Sequence, residues 1–303
     1  MKPTIISRRQ FLVLSGTATA ALMLPLGINA APDASPLIRF GMLSDIHYAG
    51  REAAPPRYYR QSLEKVKECI DLMNREKVDF VIELGDFKDQ DPVPNEANTL
   101  KYLSDIENVF HQFNGLTYHV LGNHDMDGIS KEQFLSRVVN TGIPATESYY
   151  SFNLKGLHFV VLDGNFTREG TAYDHGNFTW DNTRIPEAEL NWLKEDLKAN
   201  ELPAIVFIHQ MLDDSKSKEQ SVHNAAEVRQ VLEQSGKVIC VFQGHVHEER
   251  YSLINNIHYY SMMAVVDNEG PENNSYMIAG IYPDGSLAID GYRRASDQKF
   301  NKA

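Results

Sequence analysis

Five short polar motifs in the sequence each follow an apolar, strand-like run, and each contains residue types that bind metal ions. The motifs are SDIH, LGDFKD, LGNHD, IHQ and QGHVH, and they begin at residues 44, 84, 121, 208 and 243. Ligands of open α/β sheets bind beyond the carboxyl ends of the strands. We therefore expect the five motifs to converge in space, although about 200 residues separate the first from the last.

The spacing inside the motifs suits a shared site. Side chains alternate along a strand, so the pairs Asp45/His47 and His245/His247 are each predicted to point in one direction. Glycine permits tight turns and a close approach of the backbone. Three of the motifs contain one, at Gly85, Gly122 and Gly244.

The donor types are carboxylate, imidazole and amide oxygen, without thiolate, and such sets select ions such as Mn, Zn or Fe. One tetrahedral ion needs four ligands, whereas seven candidates fit two ions if Asp86 bridges them. Two ions about 3.5–4 Å apart form a recurring clamp for phosphate-ester hydrolysis. The seven candidate ligands are Asp45, His47, Asp86, Asn123, His209, His245 and His247.

Taken in this order, the motifs DxH, GDxxD, GNHD, a lone strand-end histidine and GHxH resemble those of the calcineurin-like metallophosphoesterase superfamily, over about residues 37–265. The resemblance implies an α/β fold, a sandwich of two mixed β-sheets flanked by α-helices. It also implies a hydrolase with two divalent metal ions (Mn, Fe or Zn) and an attacking hydroxide that bridges them. One ion would be held by Asp45, His47, Asp86 and His247, and the other by Asp86, Asn123, His209 and His245.

The resemblance assigns catalytic roles to two further residues. His124 is expected to meet the substrate, where it stabilises the attacked phosphoryl group or protonates the leaving alkoxide. Asp89 matches the family position that orients this histidine. Asp125 is expected to brace the loop through hydrogen bonds to backbone groups.

The stretch RYYRQSL at 57–63 is similar to that of the manganese-dependent ADP-ribose/CDP-alcohol diphosphatase group, in which this region helps bind the nucleotide side of the substrate. We expect Arg57 or Arg60 to pair with a second phosphate, and Tyr58 or Tyr59 to stack on a base. The alternative is the start of an amphipathic helix with exposed arginines.

The chain departs from that group at two positions, and its substrate stays open. The group commonly has glutamine where His47 stands and glutamate where Asp125 stands. The candidate substrates are nucleotide diphosphates, phosphomonoesters, and cyclic-nucleotide or other phosphodiesters. A scaffold that keeps the fold without catalysis is the alternative from another class, and the complete ligand set argues against it.

The elements that must position these residues alternate between strand and helix from residue 37 onward. Nearly all-apolar strands in such an alternation predict a parallel or mixed sheet covered on both faces. Residues 35–298 are predicted to form one domain, in which the segment 167–184 lacks a clear period and is long enough to be functional. Apolar spacings of three and four predict a helix over 59–77, and further helices are expected at 96–113, 187–197 and 225–233.

Residues 1–31 carry Arg8 and Arg9, then an apolar stretch with small residues at its end, and this pattern predicts a twin-arginine signal peptide. We expect a periplasmic or secreted protein without a stable membrane anchor after cleavage; a retained anchor is the alternative. The formal net charge of −12 over 303 residues disfavours a nucleic-acid polymer as partner. The expected partner is a small phosphorylated substrate. Cys69 and Cys240 are expected to be free, buried thiols.

Overall fold

The structure is a computed structural model, and it describes residues 35–213 and 219–302. The predicted signal peptide lies outside these residues. In the part of the chain that is described, no helix is both long enough and apolar enough to cross a membrane. The strands are β1 (Ile38–Leu43), β2 (Phe80–Glu83), β3 (Leu116–His119), β4 (Tyr150–Leu154), β5 (Leu157–Val161), β6 (Ala204–Ile208), β7 (Val238–Gln243), β8 (Arg250–Ile254), β9 (Ile257–Ser261), β10 (Ser275–Ile281), β11 (Leu287–Arg293) and β12 (Gln298–Phe300).

The α-helices form where the apolar spacing predicts them, with small shifts at their ends. The first of them ends at Lys77, whose left-handed backbone (φ 52°) stops the helix. The second begins at Asn95, whose side chain accepts a hydrogen bond from the Asn98 backbone and so caps the first turn. A short helix after Ser130 was not predicted. The helices are α1 (Ser62–Glu76), α2 (Glu96–Phe110), α3 (Lys131–Leu135), α4 (Glu187–Ala199) and α5 (Ala225–Ser235).

The strands form two mixed six-stranded sheets. The first has the order β12-β11-β10-β1-β2-β3, and β1, β2 and β3 run parallel. The second has the order β4-β5-β6-β7-β9-β8, and β5, β6, β7 and β9 run parallel. Helices cover the outer faces, so the predicted fold class is confirmed. The final strand extends to Phe300, two residues beyond the predicted end of the domain.

Aromatic side chains from both sheets form the inner core. The rings of Phe40 and Phe80 stack at 4.8 Å on the first sheet, and Phe159 and Phe207 of the second sheet meet Phe40 edge-on at 5.8 and 5.9 Å. Burying such a side chain contributes about 1.5–3 kcal/mol. Separate apolar clusters join α1 and α2 to the first sheet and α4 and α5 to the second. This packing fixes the two sheets against each other, and with them the loops that follow their strands.

Both cysteines are buried and free, as predicted. The segment 167–184 is a loop of turns and isolated bridges, and it contains neither a helix nor a regular strand. Its backbone is tied to the rest of the fold through hydrogen bonds such as those from Tyr173 to Asn165 and from His175 to Ile129.

Candidate metal centre

The residues predicted as metal ligands come together where the parallel strands of the two sheets end. They follow the carboxyl ends of β1, β2 and β3 in the first sheet and of β6 and β7 in the second. Six of them form two groups whose ligand atoms lie within 4.8 Å of one another. The first group is Asp45, His47 and His247, and the second is Asp86, His209 and His245.

One carboxylate oxygen contacts both groups. Asp86 Oδ2 lies 3.4 Å from His47 Nε2 and 3.2 Å from His209 Nε2. All three side chains are buried. The structure therefore places Asp86 where a bridging ligand is expected.

Five of the seven candidate ligands have a left-handed backbone, which costs an L-residue about 1–3 kcal/mol and persists where the surroundings enforce it. The prediction that strand alternation aligns the Asp45/His47 and His245/His247 pairs is wrong, because β1 and β7 end before these pairs. Tight turns aim the side chains instead. The φ angles are 53° for Asp45, 46° for His47, 55° for Asp86, 69° for His245 and 57° for His247.

Two glycines make room for these turns. A Cβ atom on Gly122 would overlap the backbone nitrogen and the Oδ1 atom of Asp86. A Cβ atom on Gly244 would overlap Ser44 Oγ, which donates a 2.6 Å hydrogen bond to Asp45 Oδ2. Any larger residue at either position would displace a candidate ligand.

Two of the histidines contact a carboxylate through Nδ1, and this contact orients the ring. His47 Nδ1 lies 3.2 Å from Asp89 Oδ2, and His247 Nδ1 lies 3.1 Å from Asp267 Oδ2. Partners of this kind fix the tautomer and the ring orientation of a metal-binding histidine. The two Nε2 atoms then face each other at 3.2 Å. Sequence analysis missed Asp267, because it follows an apolar run but belongs to no ligand motif.

The remaining donors fit a cation as well. His209 Nδ1 hydrogen bonds to the Leu84 carbonyl at 2.8 Å, which leaves its Nε2 atom facing Asp86. Among the described residues the buried Asn123 Oδ1 has no hydrogen-bond partner.

Burial lowers the pKa of His47 to about 4 and that of His245 to about 3. Burial by itself also lowers the pKa of His209, but Asp86 outweighs it and raises this pKa to about 10, an effect that a bound dication opposes. Neutral imidazole is the form that coordinates metal. Carboxylate, neutral imidazole and amide donors in this arrangement fit divalent cations.

His124 lies beside this centre, with its ring centroid 4.8 Å from that of His47. Its backbone nitrogen donates to Asp86 Oδ1, and its Nδ1 atom lies 2.6 Å from Asp127 Oδ2. The expectation that Asp89 takes this position is wrong, because the hydrogen bond of Asp89 goes to His47. Asp127 stands three residues after His124, and that helical spacing was a signal in the sequence.

Burial by itself lowers the pKa of His124, but the nearby carboxylates of Asp86, Asp127 and Asp89 outweigh it and raise the pKa to about 9. Divalent cations bound beside the ring oppose this effect. The arrangement thus gives a histidine that can carry a proton at the rim of the centre.

The loop that carries Asn123 and His124 is braced from inside. Asp125 accepts hydrogen bonds from the backbone nitrogens of Gly122 at 2.8 Å, Asp86 at 3.0 Å and Phe87 at 2.9 Å. The prediction for Asp125 is confirmed. One buried carboxylate therefore joins the loops that follow β2 and β3.

The structure separates the two arginines that were predicted to bind substrate. Arg57 Nη1 lies 3.8 Å from Asp89 Oδ2 at the rim of the centre. Arg60 instead forms an ion pair with Glu52 at 2.6 Å and donates to the Gly50 carbonyl. The expectation for Arg60 is wrong, because its guanidinium group forms its ion pair with Glu52 in the outer loop and not with Asp89 at the rim of the centre.

Tyr59 does not reach the substrate side either. The residue is only 4% exposed, and the guanidinium of Arg51 covers its ring at 4.5 Å from the centroid. A buried, covered ring is not available to stack on a base. Arg51 is a further residue that sequence analysis missed, and its Nη1 atom lies 3.8 Å from Asp89 Oδ1.

An exposed aromatic residue lies on the side of the second ligand group. The indole of Trp180 is 5.8 Å from the His245 ring, and the residue is 47% exposed. It belongs to the 167–184 loop, which sequence analysis marked as long enough to be functional.

Comparison with known proteins agrees with this geometry. The family described as Calcineurin-like phosphoesterase matches residues 38–249. Two similar relatives are named manganese-dependent ADP-ribose/CDP-alcohol diphosphatase. The one from Oryza sativa subsp. japonica is 24% identical and covers 90% of this chain and 97% of its own. The one from Homo sapiens is 23% identical and covers 88% and 93%.

A solved structure with a similar fold is a dimetal phosphatase from Danio rerio. Its TM-score is 0.76 at 19% sequence identity, and the match covers 89% of this chain and all of the other.

Proposed function

The chain belongs to the calcineurin-like phosphoesterase family, a family of metal-dependent hydrolases of phosphoric esters, and from this premise we propose that it cleaves the diphosphate linkage of small nucleotide derivatives. Relatives that align over nearly their whole length are named for activity on ADP-ribose and CDP-alcohols. We propose manganese as the working metal on the same ground.

The observation that carries this proposal is a pair of arginines beside the metal centre. The guanidinium groups of Arg51 and Arg57 both lie 3.8 Å from the single carboxylate of Asp89. Their side chains are 22% and 31% exposed. Two cations on one carboxylate leave one guanidinium charge that Asp89 does not neutralise. A substrate with a second phosphate next to the scissile one can use that charge, because guanidinium groups bind phosphate oxygens bidentately.

The two ligand groups meet at the carboxylate of Asp86 and would hold two ions with that residue in common. When bound, the ions supply Lewis-acid stabilisation of phosphoryl charge and lower the pKa of water. We propose that the first ion is held by Asp45, His47, Asp86 and His247, and that the second is held by Asp86, Asn123, His209 and His245.

In the proposed reaction, the oxygen of a water molecule forms a bond to phosphorus while the bond from phosphorus to the leaving oxygen breaks. The electron pair of that bond goes to the leaving oxygen, which takes a proton from His124 or shares one with it. The proton that water loses returns to solvent. Arg57 holds the neighbouring phosphate, so the scissile phosphate is positioned before reaction.

A substrate panel tests this function on the full-length protein with added Mn²⁺. We expect ADP-ribose and CDP-choline to be hydrolysed with a higher kcat/KM than p-nitrophenyl phosphate, bis-p-nitrophenyl phosphate or cyclic AMP. A preference for p-nitrophenyl phosphate identifies a phosphomonoesterase instead. A preference for the diester or for cyclic AMP identifies a phosphodiesterase, and either result contradicts the proposal.

Two arginine variants give a matched test of the second phosphate. Arg57→Ala is expected to raise KM for ADP-ribose about 10-fold or more, because a hydrogen bond to a charged group contributes about 1.5–3 kcal/mol. KM for p-nitrophenyl phosphate, which lacks a second phosphate, is expected to change less. Arg60→Ala is the control, and both constants should stay at wild-type values. An equal loss on both substrates in Arg57→Ala rejects the assigned contact.

We also propose export through the twin-arginine route, on the strength of the motif around Arg8 and Arg9. Changing both arginines to lysine is expected to leave the precursor in the cytoplasm. Cell fractionation with an antibody measures this. Mature protein outside the inner membrane in that variant contradicts the proposal.

A further inference from the structure

We propose that Asp127 is the positioning residue of His124, and that Asp89 serves the metal centre instead. The inference rests on the proposed function only in that His124 acts on the substrate. The sequence resemblance assigns the orientation of His124 to Asp89. In the structure Asp127 contacts His124, and Asp89 contacts His47.

The hydrogen-bond geometry supports this division. His124 Nδ1 lies 2.6 Å from Asp127 Oδ2, and the Asp127 backbone nitrogen donates to the His124 carbonyl at 3.1 Å. The two residues are three positions apart: His124 lies in the 3-10 helix Asn123–Met126, and Asp127 follows that helix directly. A local pair in one turn has little freedom to separate, so the ring is held by the same short segment that carries it.

A buried lysine holds this segment through hydrogen bonds to its backbone carbonyls. Lys88 Nζ donates to the carbonyls of both His124, at 2.5 Å, and Asp127, at 2.6 Å. Lys88 is fully buried and sits in the loop after β2. Its ammonium group therefore clamps both members of the pair to a loop that also carries candidate ligands. Such a clamp is useful where the orientation of an imidazole must be held to within a fraction of an ångström.

The short hydrogen bond of Asp89 goes to His47 and not to His124. One oxygen of its carboxylate lies within 4.8 Å of a ring nitrogen of His124, so its charge reaches that residue. Its short contact, however, is the 3.2 Å hydrogen bond to His47 Nδ1. Arg51 and Arg57 flank the same carboxylate. Asp89 thus orients a candidate metal ligand and anchors the arginine pair.

This arrangement decides which nitrogen of His124 meets the substrate. With Nδ1–H donated to Asp127, the proton that can leave is the one on Nε2. As the bond between phosphorus and the leaving oxygen breaks, its electron pair goes to that oxygen, and the Nε2 proton is transferred to it. Asp127 accepts the Nδ1 hydrogen bond and holds the ring in one orientation, as the carboxylate of a catalytic triad does.

The test compares Asp127→Asn with Asp89→Asn on an alkyl phosphodiester and a p-nitrophenyl phosphodiester. An alkoxide is the poorer leaving group and depends more on a proton. We expect Asp127→Asn to lower kcat on the alkyl ester by about 10²-fold, within the range that acid–base catalysis supplies, and to lower it less on the p-nitrophenyl ester. KM and metal content should stay unchanged. Asp127→Glu, which keeps the carboxylate, should restore part of the loss.

Asp89→Asn is expected to behave differently. It should weaken metal binding by about 10–100-fold, the usual effect of removing a partner of a metal-binding histidine. At saturating metal the loss should be similar on both esters. The inference is overturned if Asp89→Asn shows the leaving-group dependence and Asp127→Asn does not.

A spectroscopic readout is independent of any substrate. In the isotope-labelled, Zn²⁺-loaded protein, the Nδ1 proton of His124 is expected to give a downfield NMR resonance because of its short hydrogen bond. Asp127→Asn should remove or shift it, and Asp89→Asn should leave it in place. The opposite pattern rejects the role of Asp127. A wild-type protein that hydrolyses nothing in the panel rejects the proposed function, but this resonance still decides the inference.

Discussion

Two buried clusters of histidine and carboxylate contain acidic residues only three positions apart in the sequence, Glu83 in one and Asp86 in the other, and they differ in the groups that surround their charges. In the first, which we term the ion triad, His119 Nδ1 lies 3.0 Å from Glu83 Oε1 and His119 Nε2 lies 3.2 Å from Glu107 Oε2. Both ring nitrogens face carboxylates, so both act as donors and the ring is protonated. The charges of the triad are therefore paired with one another.

The candidate metal centre differs in one donor and in its backbone. Beside Asp86, the buried Asn123 Oδ1 has no hydrogen-bond partner among the described residues. The triad sits on β2, β3 and α2, whereas five of the seven candidate ligands sit in left-handed turns. Residue type alone therefore does not separate a structural cluster from a functional one. The strained backbone and the buried oxygen without a partner do.

Substitution of Asp86 by Asn is expected to have the largest effect on activity. It removes the carboxylate whose Oδ2 atom lies between ring nitrogens of the two ligand groups, His47 Nε2 and His209 Nε2. Two ions supply several kcal/mol of transition-state stabilisation, so kcat/KM should fall about 10³-fold or more. Metal analysis and kinetics on the same sample measure both consequences. A variant that still binds two ions per chain contradicts the bridging assignment.

Substitution of His119 by Leu should break the ion triad and leave the chemistry in place. Two buried carboxylates lose their cation, and breaking a buried pair costs about 3–5 kcal/mol. Urea unfolding measures the loss. Metal content per folded chain should remain at the wild-type value, and the control Glu107→Gln in the same background should recover part of the stability. If metal is lost while the free energy of unfolding is unchanged, the distinction between the clusters fails.

Asp267→Asn is expected to give a smaller effect, confined to the metal centre. The change replaces the charged acceptor of His247 Nδ1 with a neutral amide, and metal affinity should fall about 10–100-fold. Asp196→Asn is a matched control, because Asp196 lies 2.7 Å from a nitrogen of His158, which is not a candidate ligand. Titration of the metal-free proteins with Mn²⁺ separates the two. Equal affinities in both variants would falsify the supporting role of Asp267.

The smallest expected effect is a pH dependence of stability that the ion triad produces. Burial by itself lowers the pKa of His119, but Glu107 and Glu83 outweigh it and raise the pKa from 6.5 to about 10. A raised folded-state pKa gives stability that is complete below the unfolded value of 6.5 and is lost as pH rises through about 10. Unfolding midpoints of wild type should decline over this window, and those of His119→Gln should decline less. Parallel declines in both proteins contradict the assignment.

Much of the fold could be predicted from the sequence, because its signals are local. Apolar runs of four to six residues mark strands, and spacings of three and four mark the helices. The end of β12 and the presence of α3 could not be predicted, because both lie in short segments with weak patterns. Local chemistry also revealed the candidate ligands, since His209 stands directly after an apolar run and Asp86 and Asn123 each stand one glycine beyond a strand-like run.

The tertiary structure alone decided which groups contact one another. The sequence by itself determined the ligand types and the strands that bring them together. It could not determine that Asp127 rather than Asp89 holds His124, or that Arg60 is turned away by Glu52. The physical reason is that a hydrogen-bond partner is chosen by ångström-scale distances between loops that are far apart in sequence, whereas a strand or helix is favoured by its own residues.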